Sequence, residues 1–190
     1  MTPLEVRKYN RTQTELEYFW LYCIIVAGRN AEWASAATKR LLARMPEGGA
    51  PIQWLAAQGP ALRNTLVANR TGQYHRISEA VLQSASVNLR TASVDELEGI
   101  YGVGPKTARF FILNSRPDVE HAVLDVHLLR WLAQVCLEDV PRSTPPRGAP
   151  YERIESIAIR NIKREFPGVS LADADLLIWA CMSNRVEPFI

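Results

Sequence analysis

A lysine and an aspartate carry the clearest chemistry in this sequence. Lys106 is a primary amine at the predicted start of a helix, and Asp125 follows it by 19 residues. A neutral amine is a nucleophile that can form a Schiff base, and a carboxylate stabilises positive charge that develops beside it. Each residue also has a purely structural interpretation, because such a lysine can bind a phosphate and such an aspartate can cap the next helix.

The segment 93–109 predicts two short helices joined by a glycine hairpin, with a serine positioned to cap the first helix. Gly102 and Gly104 permit a turn that residues with a Cβ would resist, and Pro105 suits the first position of the second helix. We expect the N–H groups from 103 to 106 to point outward at a helix start, where they would bind a phosphate. The residues predicted for this phosphate site are Gly102, Val103, Gly104, Lys106 and Thr107.

The rest of the chain shows helical periodicity and no run that alternates at period two over a useful length. The sequence therefore predicts an all-α protein of about nine or ten helices. Between Lys106 and Asp125 there is room for the second hairpin helix, a turn at Pro117 and a short extended piece. This arrangement can return the aspartate to the neighbourhood of the lysine.

Composition restricts the function classes only weakly. A chain of 190 residues is one or two small domains, and 47% hydrophobic with 22% charged residues is ordinary for a soluble globular protein. A net charge of +2 does not by itself indicate a nucleic-acid binder, so any basic surface must come from local placement. The longest apolar run, about ten residues from Phe19 to Gly28, is too short to cross a membrane.

Three cysteines lie far apart, at Cys23, Cys136 and Cys181. Their spacing fits neither a zinc site nor a four-cysteine iron–sulfur cluster, so we expect no metal. All three lie in apolar helical contexts, which predicts buried free thiols and a reducing, cytoplasmic setting.

The hairpin 102–108, the Pro117 loop and the run Val-Leu-Asp-Val-His at 123–127 resemble the helix-hairpin-helix (HhH-GPD) DNA glycosylases. Endonuclease III and the oxidised-guanine glycosylases belong to that superfamily. Lys106 matches the position used by its bifunctional members, which also cleave the strand, and Asp125 matches the position used by all active members. The resemblance is strongest over residues 72–132, and it is closest in style to compact archaeal-type or phage enzymes.

The resemblance implies one glycosylase unit over residues 1–190, with an active-site cleft between two helical subdomains. The central subdomain would cover about 50–132 and contain the hairpin motif at 93–114. The second would combine the N-terminal helices, about 14–45, with the C-terminal helices, 151–185.

The resemblance also suggests five residues for the base pocket or for the wedge that fills the gap left by an extruded base. Two of them, four residues apart on the last helix and so on one face, are similar to an acid and an indole that contact the flipped purine in archaeal-type enzymes. The others keep ordinary alternatives, such as a helix cap at Asn30. The candidates are Asn30, Tyr74, His127, Asp175 and Trp179.

The function implied is that of a bifunctional DNA glycosylase and AP lyase, with 8-oxoguanine as the first choice of base. Lys106, made neutral by partial burial, would displace the extruded base and form a Schiff base, and β-elimination would nick the strand. Double-stranded DNA would be the partner of a monomer that needs no iron–sulfur cluster, although a monovalent cation could sit at the hairpin.

Two alternatives remain open from the sequence. Some phage proteins with a glycosylase fold are thought to act on hypermodified thymine, and the same lysine and aspartate could serve that reaction. A non-catalytic helix-hairpin-helix module would bind DNA without needing Asp125.

Overall fold

A computed structural model describes residues 6–183, and this part of the chain contains helices and no strand. The all-α prediction is therefore confirmed. A 3₁₀ turn at Gly59–Ala61 separates two of the short helices. The α-helices are α1 (Gln13–Val26), α2 (Ala31–Leu41), α3 (Pro51–Ala56), α4 (Leu62–Ala68), α5 (Tyr74–Ser84), α6 (Val94–Glu98), α7 (Pro105–Ser115), α8 (Val126–Val135), α9 (Ala149–Glu165) and α10 (Leu171–Met182).

The buried apolar side chains form two clusters that meet along α7. The first core extends from Val6 to Ile112 and contains α1 to α6. The second core extends from Leu113 to Ile178 and contains α8, α9, α10 and the segment before α8. Phe110 packs against both cores. The helix that begins beside Lys106 is therefore the element that the two cores share.

This grouping differs from the one expected from the sequence. The helices of residues 14–45 pack into the first core with the central helices. The helices that follow residue 151 pack with α8 in the second core, and residues 184 and 185 lie outside the described residues. The reason is that α1 is apolar nearly all round, with Phe19 and Trp20 fully buried, so its sequence pattern gives no direction for packing. Its neighbours are α2, α3, α5 and α7.

The hairpin between α6 and α7 depends on one glycine rather than two. Ser93 and Glu96 form a capping box at the start of α6. Gly102 has a φ of +73°, and a Cβ there would lie 2.3 Å from Cγ of Arg76. Gly104 has an extended backbone with φ −100°, and a Cβ there would meet no atom within 4 Å, so the expected need for a second glycine is wrong.

A buried ionic cluster centred on Arg109 joins α6, α7 and α9. Its guanidinium donates to Glu98 at 2.6 Å and to Glu155 at 2.8 Å, and it lies 4.2 Å from the centre of the Tyr151 ring. Arg109 is 6% exposed, so these bonds form away from water. Since Arg109 lies one turn after Lys106, the cluster fixes the helix that carries the candidate nucleophile.

The same cluster holds the segment that leads into Asp125. Glu155 accepts a hydrogen bond from the Ala122 N–H at 3.0 Å. The Tyr151 hydroxyl donates to the Ala122 carbonyl and accepts from the Leu124 N–H, both at 3.0 Å. Thr144 donates to the Leu124 carbonyl at 2.7 Å. The segment before α8 is thus held by side chains, although it forms no regular secondary structure.

We expect Arg109→Met to lower the free energy of unfolding by about 3–5 kcal/mol, because it leaves Glu98 and Glu155 buried without their cation. Urea denaturation at pH 7 measures the loss. The matched control is Arg63→Met, at an exposed arginine of α4, which should change stability by less than about 0.5 kcal/mol. Equal stability of the two variants would show that the cluster does not hold the fold.

Candidate active site

Asp125 is the N-cap of α8, as expected from the sequence. Its Oδ1 atom accepts from the N–H groups of His127 at 2.9 Å and Leu128 at 2.8 Å. Within residues 6–183 no hydrogen bond to Oδ2 is formed. The helix start favours a negative charge at this position. Oδ1 therefore stabilises the start of α8, and Oδ2 remains available to contact a ligand.

Lys106 is the second residue of α7 and is exposed. The expected partial burial is wrong for the protein by itself, because Lys106 lies in the exposed first turn of α7. In the described part of the chain its amine forms neither an ion pair nor a hydrogen bond. The amine is thus accessible to a ligand that approaches the hairpin.

The start of α7 offers fewer N–H donors than expected. The Val103 N–H bonds to the Ile100 carbonyl at 3.0 Å, so Val103 cannot serve as a phosphate donor, and Pro105 has no N–H. Gly104, as N-cap, supplies no side-chain acceptor. The N–H groups of Gly104, Lys106 and Thr107 therefore remain for an anion at the positive end of the helix.

Asp175, on α10, connects the two candidate catalytic residues. The pKa of this half-buried carboxyl is raised to about 8, because burial and then the negative charge of Asp125 raise it by more than the positive charge of Lys106 lowers it. Charges act on a pKa in this way only over a short range. The structure therefore places the Asp175 carboxyl within electrostatic range of both Asp125 and Lys106.

His127 and Trp179 lie beside this group. Their rings are 6.2 Å apart between centroids at an interplanar angle of 74°, which is an edge-to-face contact. Trp179 is only half-buried and follows Asp175 by one helical turn, so the indole is not a plain core residue. The buried Nδ1 atom of His127 has no hydrogen-bond partner within residues 6–183. An aromatic edge, an acid and an unpaired ring nitrogen thus adjoin the lysine and aspartate.

Asn30 and Tyr74 lie apart from the group of Lys106, Asp125 and Asp175, at two adjoining turns that precede α2 and α5. Asn30 caps α2, accepting from the N–H groups of Glu32 at 2.8 Å and Trp33 at 3.3 Å. The capping interpretation of Asn30 is therefore the one observed. Tyr74 begins α5 and packs partly against the first core. A wedge role for either residue stays a prediction.

Arg76, on α5, links the hairpin to the rest of the first core. It donates to the Gln73 side chain, to the Gly102 carbonyl at 3.2 Å and to the Ile24 carbonyl at 2.7 Å. Burial, and then the charge of Arg29, lower the pKa of Arg76. This arginine holds the hairpin against α1 and against the turn before α5. A monovalent cation at the hairpin stays a prediction, and the Gly102 carbonyl already accepts from a cationic group.

Gln73, at the tip of that turn, is exposed and has a left-handed backbone with φ +44°. Such a conformation is uncommon for a residue with a side chain. A glutamine does not indicate a left-handed conformation in the sequence, although the preceding Gly72 indicates the turn itself.

The cysteines are less uniformly buried than expected. Cys23 is buried, and burial raises the pKa of its thiol, whereas Cys136 is half-buried and Cys181 is exposed. The expected burial of Cys136 and Cys181 is therefore wrong, because an apolar helical context does not show which face of a helix points to solvent. Within residues 6–183 no three His, Cys, Asp or Glu side chains are grouped as metal ligands would be. In the same range, no helix is long and apolar enough to span a bilayer.

No protein-family model matches the chain. A solved structure does: the 8-oxoguanine glycosylase/lyase of Methanocaldococcus jannaschii, in complex with a 15mer DNA containing 8-oxoguanine. The similarity covers 97% of this chain and 89% of that chain, with a TM-score of 0.65 and 21% sequence identity. The chain therefore has the helix-hairpin-helix DNA glycosylase fold.

We expect Asp175→Asn to stabilise the protein at high pH. The folded pKa of about 8 lies above the ordinary value of 3.8, so the folded state keeps a proton that the unfolded state loses. The contribution of Asp175 to stability is therefore greatest below pH 4 and falls as pH rises towards 8. The variant lacks this pH dependence, so its free energy of unfolding should exceed that of the wild type by about 1 kcal/mol or more at pH 9.

Urea denaturation of both proteins between pH 4 and pH 9 measures the difference, with the exposed Asp139→Asn as the control. A gap that does not widen with pH would contradict a buried, proton-holding Asp175.

Proposed function

We propose that this protein is a DNA repair glycosylase with AP lyase activity, which excises a damaged base from double-stranded DNA. The observation that carries the proposal is the grouping of Lys106, Asp125 and Asp175 at the junction of two helical cores in a protein with this fold. An exposed amine and a carboxylate with one free oxygen are the two groups that a nucleophilic displacement at a sugar carbon needs.

The start of α7 would hold the DNA strand. A backbone phosphate would accept from the N–H groups of Lys106 and Thr107, helped by the positive end of the helix. Because Arg76 fixes the hairpin to the first core, this grip is rigid. A rigid grip matters because extruding a nucleotide from the duplex costs a few kcal/mol.

Lys106 would act as the nucleophile. The attack requires the neutral amine, and bound DNA that covers the amine would remove water from it. The nitrogen attacks C1′, the bond from C1′ to the base breaks, and the base leaves with the electron pair and gains a proton. The attacking nitrogen loses a proton, and opening of the sugar ring gives a Schiff base. Loss of a proton from C2′ then expels the 3′ phosphate and nicks the strand.

Asp125 would stabilise the positive charge that develops on the sugar as the base departs. Its free Oδ2 atom would face that charge, while Oδ1 remains bonded to the start of α8. This division lets the carboxylate act without reorganising the helix that it caps.

Asp175 and Trp179 favour an oxidised guanine as the base. With a pKa of about 8, Asp175 holds a proton at neutral pH, so its carboxyl can donate through O–H and accept through C=O. A guanine edge offers a matching pair, a carbonyl oxygen that accepts and a ring N–H that donates. The indole of Trp179 would pack against the base, and the Nδ1 atom of His127 is a further polar group near it.

We expect sodium borohydride to trap a covalent adduct between the protein and duplex DNA that carries 8-oxoguanine or an abasic site. Lys106→Gln should reduce the adduct by about 100-fold or more, because the variant has no amine to form the Schiff base. Lys39→Gln, at an exposed lysine of α2, is the matched control and should trap like the wild type. Gel separation of labelled DNA measures the adduct.

The same assay on uracil, thymine glycol and modified thymines tests the choice of base. An adduct formed only with a modified thymine would favour the hypermodification enzyme. DNA binding with no adduct and no excision on any duplex would favour the non-catalytic module. An undiminished adduct in Lys106→Gln would remove Lys106 from the mechanism.

We expect Asp125→Asn to lose base excision while keeping the fold and DNA binding. Asparagine caps a helix about as well as aspartate, so stability should change by less than about 0.5 kcal/mol. Removal of the charge should slow excision by about 100-fold or more. Single-turnover excision and DNA affinity are compared with those of the exposed Asp139→Asn. Equal excision rates in the two variants would refute the proposed role.

A further inference from the structure

Two turns of the first core lie against each other beside the hairpin. The turn that joins α1 to α2 carries Arg29, and the turn before α5 carries Gly72 and Gln73. A Cβ at Gly72 would lie 2.7 Å from a guanidinium nitrogen of Arg29, and a Cβ at Gly28 would lie 3.9 Å from the amide nitrogen of Gln73. Each turn therefore has a polar side chain that packs against a glycine of the other turn.

Arg29 is positioned by these contacts without being neutralised. Its side chain is exposed, and within residues 6–183 it forms neither an ion pair nor a hydrogen bond. The guanidinium lies 5.2 Å from the centre of the half-buried Trp33 ring, a cation–π contact that keeps the full charge. The ring and the turn at Gly72 thus hold a cation whose N–H groups remain for a ligand.

A second cation lies close to Arg29. Burial, and then the charge of Arg29, lower the pKa of Arg76, so the two guanidinium groups repel each other across a short distance. The hydrogen bonds of Arg76 go to the Gln73 side chain and to the carbonyls of Ile24 and Gly102, all of them neutral acceptors. Neutral acceptors satisfy N–H donors but do not cancel a charge. An anion bound beside Arg29 would relieve this repulsion.

The Gln73 side chain adds an uncharged donor to the same surface. Its oxygen accepts from Nε of Arg76, which fixes the orientation of the amide. In the part of the chain that the structure describes, the amide nitrogen donates to no acceptor. Gln73 is exposed, and its left-handed backbone places it at the tip of the turn.

This surface is continuous with the start of α7. Arg76 connects Gln73 to the carbonyl of Gly102, two residues before the N-cap of α7. Arg29, Gln73, Gly102 and Lys106 are all exposed. A strand that contacts the start of α7 can therefore extend across the hairpin to the two turns.

We propose that Arg29 and Gln73 bind a second backbone phosphate of the DNA, in addition to the one held at the start of α7. This inference rests on the proposed function, because it takes DNA as the ligand. A guanidinium presents a fork of N–H groups that fits two phosphate oxygens, and amide side chains are common phosphate donors. Two phosphates held on one rigid surface would keep the strand bent while a nucleotide is extruded, which costs a few kcal/mol.

The test measures affinity for a duplex with a reduced abasic site, which forms no Schiff base, by fluorescence anisotropy at several sodium chloride concentrations. Arg29→Gln should weaken binding about tenfold and reduce the slope of log K against log salt by about 1, because one phosphate is no longer neutralised. Gln73→Ala should weaken binding about threefold and leave the slope unchanged, because the amide is uncharged. Arg29→Lys keeps the charge and should keep the slope.

Arg63→Gln, at an exposed arginine of α4, is the matched control and should keep both the affinity and the slope of the wild type. A methylphosphonate placed at one DNA position at a time removes a single phosphate charge. At the phosphate bound by Arg29 it should weaken binding of the wild type but not of Arg29→Gln, and a role of Arg29 in folding alone would not produce this position dependence.

A wild-type affinity and slope in Arg29→Gln would overturn the proposal. Equal sensitivity of the wild type and Arg29→Gln to the methylphosphonate at every position would overturn it as well. Borohydride trapping by the wild type on an unreduced abasic site reports on the proposed function separately. A wild type that binds DNA but traps no adduct would contradict the lyase, while the slope of Arg29→Gln would still decide whether Arg29 binds a phosphate.

Discussion

The fold of this protein depends on the buried pairing of Arg109 with Glu98 and Glu155. These three side chains come from α6, α7 and α9, and Glu155 also binds the backbone before α8. A buried cation and two carboxylates are stable only when all of them are present, because each alone would lose its hydration without compensation. One cluster therefore fixes the relative position of the helix that begins beside Lys106 and the segment that ends at Asp125.

The candidate site lies where that cluster brings the two cores together. One of its groups, the Asp175 carboxyl, is less stable in its charged form in the folded protein than it is in water. Asp175 is held near another carboxyl and away from water, which raises its pKa to about 8. Such strained acids are typical of functional sites, where the surrounding structure keeps a group in a form that it would not adopt in water. The proton that Asp175 retains is also what would let it bind a base edge as both donor and acceptor.

Local features of the site could be predicted from the sequence, and long-range ones could not. The helix starts at Ser93, Pro105 and Asp125 follow from residue types with strong positional preferences. The partners of Arg109 lie 11 and 46 residues away, and no spacing rule connects them. Burial of Lys106 was predicted wrongly because exposure depends on how neighbouring elements pack. The packing partners of α1 could not be predicted because an apolar helix has no preferred face.

The shared position of α7 also determines the order in which the parts of the molecule can become complete during synthesis. The first core closes with residue 112, whereas the second needs residues as late as 178. Domains emerging from the ribosome fold from the N-terminus onward. The helix that carries the amine can therefore form while Arg109 has only Glu98 as a partner, and the acid groups join it when α9 and α10 arrive. The nascent chain therefore holds the amine-bearing hairpin well before the candidate site is complete.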